Sequence, residues 1–163
     1  FDFAKQSGYA SNQFAVWIED ADGGFVKTLY ATRFTANGGY QNRPDSIPLW
    51  VERSGLAAAS GADAVTGATP KSGPLSYAWD LTGANGERVP DGTYRFFVEG
   101  SLRWKNRVLY SGEITIGGGA AVAEAEAQYT YEGSADQPAL TGESPENGML
   151  GAVTAAYIPP QQQ

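Results

Sequence analysis

Short runs of apolar residues alternate with turn residues along most of the chain. Residues 14–18 and 25–30 are rich in the aromatic and β-branched side chains that strands favour, and Gly23 and Gly24 lie between them. Glycine adopts positive φ without strain, so this spacing predicts a β-hairpin. Because side chains alternate along a strand, three apolar residues of the first strand share one face: Phe14, Val16 and Ile18.

The same kind of pattern predicts further strands in the middle of the chain. Four segments carry it: 75–80, 94–99, 107–110 and 113–116. A short strand is also predicted at 48–52, and a last one near 152–157. Segment 36–48 is interrupted by glycine and proline, which indicates a loop. Segment 54–73 is rich in Gly, Ala, Ser and Thr, and loops of that length tend to be functional or mobile.

Segment 121–131 is ambiguous in composition, because alanine and glutamate favour helices. Its polar residues Glu124, Glu126 and Gln128 nevertheless alternate strictly with Ala or Tyr. A period of two places the polar side chains on one face of a strand and leaves no apolar helical stripe. We therefore predict a strand.

These elements predict a single all-β domain over residues 1–163, an immunoglobulin-like antiparallel β-sandwich with long loops. Residues 1–11 are expected to form a poorly patterned leader, and residues 137–163 a partly irregular tail. The apolar fraction of 42% is enough for a sizeable core.

Charge and residue usage exclude several classes of function. The net charge of −7 argues against binding to nucleic acids or to anionic membranes. No run of about 20 apolar residues is present, so membrane insertion is not expected. The chain has no Cys and no His, which excludes disulfides, thiolate or imidazole metal sites and the common triad hydrolases. An enzyme is therefore less expected than a non-catalytic protein.

One segment resembles the immunoglobulin-like domains of the flagellar hook-capping protein and of many secreted proteins. Trp79-Asp80 is followed by the turn residues Asn85-Gly86 and then by Pro90-Asp91-Gly92-Thr93-Tyr94. In those domains a strand ending in Trp-Asp meets an Asn-Gly turn, and a Pro-x-Gly-x-Tyr corner starts the next strand. Pro and Gly at these positions suit such a corner.

A longer stretch, roughly 12–117, resembles a family of predicted periplasmic proteins, the domain of unknown function 2271. The matching segments are Val16–Asp20, Val26–Tyr30, Asp63–Thr69, Trp79-Asp80 and Pro90–Tyr94. The resemblance implies export to the periplasm, with a signal peptide already removed from a chain that begins at Phe1. The segment after Gly117 lies outside the resemblance.

Asp63-Ala64-Val65-Thr66-Gly67-Ala68-Thr69 also resembles the acceptor motif for covalent flavinylation. In proteins with this motif a flavin transferase uses FAD and magnesium to join flavin mononucleotide (FMN) to the last Thr, which implies Thr69 as acceptor. Gly67 and Ala68 would keep the loop narrow enough to enter the transferase. Asp63 and Thr66 would hold its shape through bonds to loop amides.

The sequence departs from that motif after the acceptor, where Pro70 and Lys71 precede the next hydroxyl residue, Ser72. The alternative interpretation is a plain connection between two sandwich strands. An attached flavin would need an aromatic shelf, and the aromatic residues nearest in sequence are Trp50, Tyr77 and Trp79. Each is also a natural core residue.

Other polar clusters are weaker candidates. Asp20 and Asp22 beside two glycines resemble part of a calcium loop, but a hairpin turn explains them better. A second set consists of carboxylates that could pair as acid and base: Asp45, Glu52, Asp80 and Asp91. A third is a basic, aromatic cluster that could dock a partner or a flavin phosphate: Arg103, Trp104, Lys105 and Arg107.

Three functions remain open. The first is a non-catalytic periplasmic interaction or structural domain. The second is an electron carrier with FMN on Thr69, which would meet a flavin transferase and a membrane redox protein. The third is a hydrolase on a β-sandwich, which the missing His and Cys disfavour.

Overall fold

The computed structural model describes residues 1–7, 12–56, 66–103, 106–131, 140–141 and 148–161. Strands dominate these residues: β1 (Asp2–Phe3), β2 (Gln13–Asp20), β3 (Phe25–Thr32), β4 (Thr66–Gly67), β5 (Gly73–Pro74), β6 (Gly92–Arg103), β7 (Asn106–Ile116), β8 (Ala121–Glu124), β9 (Glu126–Tyr131), β10 (Leu140–Thr141) and β11 (Thr154–Tyr157). Two short α-helices, α1 (Arg33–Ala36) and α2 (Pro48–Arg53), flank a 3-10 turn at Gly39–Gln41.

Within the described residues, the main sheet has seven strands in the order β10-β9-β7-β6-β2-β3-β4. All its pairs are antiparallel except β3–β4. Two small antiparallel sheets, β1–β5 and β8–β11, complete the strands. The expected all-β sandwich is confirmed, whereas its immunoglobulin-like connectivity and its single-domain extent stay predictions.

Both faces of the main sheet are buried, and each carries its own apolar cluster. One face holds Phe14, Val16 and Ile18, as the alternation predicted, and the strand-rich second layer covers it. The opposite face holds Ala15 and Trp17 together with residues of the helical segment 33–56. The main sheet is thus covered by strands on one side and by helices on the other.

The strand predicted at 48–52 is wrong, because this segment forms helix α2. Pro48 occupies the first turn of the helix, where its missing N–H costs nothing. The amides of Leu49 and Trp50 are bonded by the carboxylate of Glu99 on β6, at 3.1 and 2.8 Å. The helix start is therefore capped by a residue distant in sequence, which no local pattern reveals.

The segment predicted as a strand at 75–80 is extended but lies outside every strand ladder of the described residues. Leu75, Tyr77 and Trp79 pack against the core cluster and the residues between them are exposed, but the predicted strand is not formed. Just before β6, the Tyr94 hydroxyl donates to the carbonyl of Pro90 (2.7 Å).

The two ends of the chain contribute more than expected. Within the predicted leader, β1 pairs with β5 and Phe3 is buried; residues 8–11 lie outside the described part. Segment 121–131 is extended as predicted, but it divides at Ala125 between two sheets, β8 joining β11 and β9 joining β7. The predicted last strand is confirmed as β11, and the tail residues 137–139, 142–147 and 162–163 are not described.

Candidate functional site

The second half of the flavinylation-like motif lies at the edge of the main sheet. Thr66 and Gly67 form β4 and pair in parallel with Ala31 and Thr32 of β3. Asp63 lies outside the described residues. The described part of the motif therefore begins as an edge strand, and Thr69 follows it as a half-buried residue.

The side chain of Tyr30 on β3 contacts the residues of this edge. Its hydroxyl donates a hydrogen bond to the carbonyl oxygen of Ala68 at 2.8 Å. A methyl group on Gly67 would lie 2.8 Å from the Tyr30 hydroxyl oxygen and 2.9 Å from its Cε2, closer than real contacts allow. Packing on Tyr30 thus requires glycine at position 67. This reason is separate from the narrow loop that the motif implies.

An aromatic stack supports Tyr30. Tyr77 lies on Tyr30 with 4.7 Å between ring centroids, and Phe14 stacks on Tyr30 at 5.3 Å. Burial raises the pKa of Tyr30, and burial followed by the proximity of Tyr30 raises the pKa of Tyr77 to about 12. Both phenols stay protonated at physiological pH, so Tyr30 remains a donor to Ala68.

Three cationic residues belong to segments that adjoin the motif, on a chain of net charge −7. Lys71 follows Thr69 by two positions, and the backbone amide of Lys5 donates to Ser72 Oγ at 2.9 Å. Arg33 begins α1 just after β3 and is close enough to Tyr30 to lower its pKa against the effect of burial. All three side chains are exposed and can therefore reach a phosphate group bound nearby.

The aromatic residues proposed as a flavin shelf lie on opposite sides of the main sheet. Trp50 is buried with the helical layer, where its indole donates to Thr28 Oγ1 at 3.0 Å. This placement rules it out as part of a shelf beside Thr69. Tyr77 and Trp79 lie on the strand-covered side, the same side as Tyr30.

A cavity of about 500 Å³ lies beside Tyr77 on that side, and we call it the apolar cavity. Its lining comes from Phe1, the main sheet, segment 75–81 and segment 153–158. Among the described residues that line it, none is Asp, Glu, Lys or Arg. It opens to solvent beside Ser76, Ala78 and Ile158, which are exposed.

The other acidic candidates have structural partners. Asp20 Oδ1 accepts from the amides of Asp22 (2.9 Å) and Gly24 (2.8 Å), which explains the hairpin turn. Asp80 bonds Lys27 and Thr82, and Asp91 bonds Arg88. Asp80 and Asp91 therefore do not pair as acid and base.

Two buried carboxylates escaped the sequence interpretation. Glu19 is fully buried, bonded to the Trp17 indole (3.1 Å) and to Arg53 (2.9 Å). Glu99, 1% exposed, caps α2, and burial raises its pKa to about 7. Both lie within strand segments, where an acidic residue is usually solvated, so neither carried a recognisable signal.

Of the basic cluster, only Arg107 has a described contact. Its Nη1 lies 3.9 Å from Glu99 Oε1, beside a small cavity of about 210 Å³. Trp104 and Lys105 lie outside the described residues, and the Arg103 side chain is not described. Arg107 thus faces a buried carboxylate of its own chain.

No helix among the described residues has both the length and the apolar character needed to cross a bilayer. No curated protein and no solved structure matches the chain, so the immunoglobulin-like resemblance stays a prediction. A family model described as "Predicted periplasmic protein (DUF2271)" matches residues 1–133. This match extends at both ends beyond the range 12–117 expected from the motifs, and it confirms the expected periplasmic location. The chain belongs to this family of predicted periplasmic proteins.

Proposed function

We propose that the chain is a periplasmic electron carrier with FMN esterified to the hydroxyl of Thr69. The carrying observation is the attachment of Gly67 and Ala68 to Tyr30, which holds Thr69 half-exposed at an ordered sheet edge. The resemblance of segment 63–69 to the flavinylation motif is the reason for proposing the Thr69 hydroxyl as the acceptor.

Attachment would proceed by transfer from FAD. The Thr69 hydroxyl oxygen forms a bond to the phosphorus of the flavin half, the pyrophosphate P–O bond breaks, AMP departs with its electron pair, and the hydroxyl proton passes to base or solvent. When bound, the flavin supplies two-electron and one-electron redox chemistry, and the protein supplies position and electrostatics.

The residues around Thr69 fit the phosphodiester that this linkage creates. Lys5, Arg33 and Lys71 would offset its negative charge, although each is exposed and contributes modestly. Tyr30 would keep the backbone before Thr69 in place through the Ala68 carbonyl. A flavin transferase and a membrane redox protein are the partners that this function requires.

Intact mass tests the attachment. The chain is exported together with an active flavin transferase, and we expect the mass of one FMN less one water to be added. Thr69→Ala should abolish the addition and Thr69→Ser should retain it. Ser72→Ala, which removes the next hydroxyl, is the matched control and should stay loaded. An unmodified wild-type mass, with a known acceptor protein loaded in the same cells, would overturn the proposal.

A non-catalytic interaction domain is the second candidate. It is favoured by the solvent-open apolar cavity and by two exposed apolar side chains, Val122 at 73% and Ile158 at 82% exposure. This function predicts an unmodified mass under the same conditions.

A further inference from the structure

The lining of the apolar cavity is suited to a flat, uncharged ring system. Main-sheet residues such as Phe96 and Val98 lie on one side, with Tyr77, Trp79 and Tyr157 among the aromatic residues around it. Its volume of about 500 Å³ lies within the range of small-molecule sites. On a chain with 18 acidic residues, a lining without ionised side chains favours a neutral occupant.

The cavity also offers polar groups at its margin. Ser76 and Thr154 are exposed lining residues with hydroxyl groups. The wall 76–80 belongs to no strand ladder of the described residues, so its backbone can contribute hydrogen bonds. A few placed polar groups beside an apolar surface are typical of cofactor sites.

Two stacked side chains connect the wall of the cavity with the Thr69 edge. Tyr77 lines the cavity and stacks on Tyr30 at 4.7 Å, and Tyr30 bonds the carbonyl of Ala68. The exposed cations Lys5, Arg33 and Lys71 belong to the Thr69 end, whereas no described lining residue of the cavity has a charged side chain. This division matches FMN, whose phosphate is anionic and whose ring is neutral.

Trp79 is held in place beside the cavity. Its indole N–H donates to the carbonyl of Thr82 at 2.8 Å, and Tyr94 packs edge-on against it at 5.1 Å. Both contacts fix the ring, so it keeps its place in the lining rather than collapsing into the open volume.

We propose that the apolar cavity is the seat of the isoalloxazine ring of the flavin on Thr69, with Tyr77 and Trp79 as ring-contacting residues. This inference rests on the proposed function for its tether. The seat itself is a property of the cavity, so it binds the free ring as well, with lower apparent affinity because the tether no longer supplies effective concentration.

Fluorescence of the loaded protein tests the seat. Because tryptophan and tyrosine in contact with isoalloxazine quench its emission, we expect flavin on the wild-type chain to be several-fold dimmer than free FMN and protected from iodide. Trp79→Phe should raise the emission several-fold while the added mass is unchanged. Ala155→Phe, which adds a ring to the lining, should displace the flavin and expose it to iodide. Val122→Ala, an exposed position outside the lining, is the control.

Titration of lumiflavin, the ring without its ribityl phosphate arm, into the unmodified chain separates the seat from the tether. Quenching of lumiflavin that weakens in Trp79→Phe and Ala155→Phe supports the seat, even where intact mass has overturned attachment at Thr69. A loaded protein whose flavin is bright, open to iodide and insensitive to both variants overturns the seat and leaves the attachment standing. Absence of lumiflavin quenching by a folded wild-type chain also overturns the seat.

Discussion

The hydroxyl of Tyr30 donates a 2.8 Å hydrogen bond to the carbonyl oxygen of Ala68, while the ring of the same tyrosine lies against Gly67. One side chain from the interior of the sheet thus controls two consecutive residues of the motif that ends at Thr69. Stability of the fold and placement of the acceptor hydroxyl are therefore linked at Tyr30.

Tyr30→Phe should separate these two effects. The ring and its stack on Tyr77 are kept, whereas the bond to the Ala68 carbonyl is lost, which costs about 1 kcal/mol of unfolding free energy. We expect faster amide hydrogen exchange at Gly67 and slower loading of Thr69 by the transferase. Exchange and loading rates equal to wild type would show that the bond does not order this edge.

Gly67→Ala should be more disruptive than Tyr30→Phe, because the added methyl overlaps the buried Tyr30 ring. Overpacking of this kind destabilises a protein by about 1–3 kcal/mol. Urea unfolding measures the loss, and Gly118→Ala is the matched control because nothing lies near its Cβ position. Equal stability of the two variants would contradict the packing of Gly67 on Tyr30.

Arg53→Ala should destabilise the sheet through Glu19, which is fully buried and bonded by Arg53. Removal of one partner leaves a buried charge with only the Trp17 indole among its described hydrogen-bond partners. We expect the free energy of unfolding to fall by about 3 kcal/mol. This is the lower end of the range for breaking a buried ion pair, because Arg53 is itself partly exposed.

The double variant Arg53→Ala with Glu19→Gln tests the cause of that loss. Neutralising Glu19 removes the unpaired charge, so the double variant should be more stable than Arg53→Ala alone. Strict additivity of the two single losses in thermal unfolding would contradict a coupling between these residues.

Glu99 should make the free energy of unfolding depend on pH between its two pKa values. Burial raises its pKa from 4.5 to about 7, so the folded protein binds a proton where the unfolded chain has lost it. The stabilisation is fully present below pH 4.5 and is lost as the pH rises to about 7, a change of about 3 kcal/mol. The Arg107 guanidinium and the amides of Leu49 and Trp50 act against this shift.

Glu99→Gln should flatten this part of the pH profile of stability. Chemical unfolding from pH 4.5 to 8 measures it, with Glu113→Gln on the exposed side of β7 as control. If the slope is unchanged in Glu99→Gln but altered in Glu113→Gln, Glu99 is not the carboxyl that causes the pH dependence, and the prediction is wrong.

Much of the fold is readable in local patterns. Apolar runs at 14–18 and 94–99 and the alternation in 121–131 predicted strands, and strands form there. The period of two also assigned Phe14, Val16 and Ile18 to one face. Pattern alone did not reveal that the other face of β2 is buried as well, because that depends on a helical layer which the sequence interpretation assigned to loop and strand.

The sequence by itself determined the strand-rich fold, the absence of His and Cys chemistry, and the motif from Asp63 to Thr69. Only the tertiary structure decided that Tyr30, 38 positions before Ala68, bonds the end of the motif, and that Tyr77 rather than Trp50 packs against Tyr30. It also decided that segment 48–53 is a helix whose first amides donate to Glu99. The reason is physical: neighbouring residues set the direction of each side chain, whereas hydrogen-bond partners and facing layers are set by pairings between segments far apart in the chain.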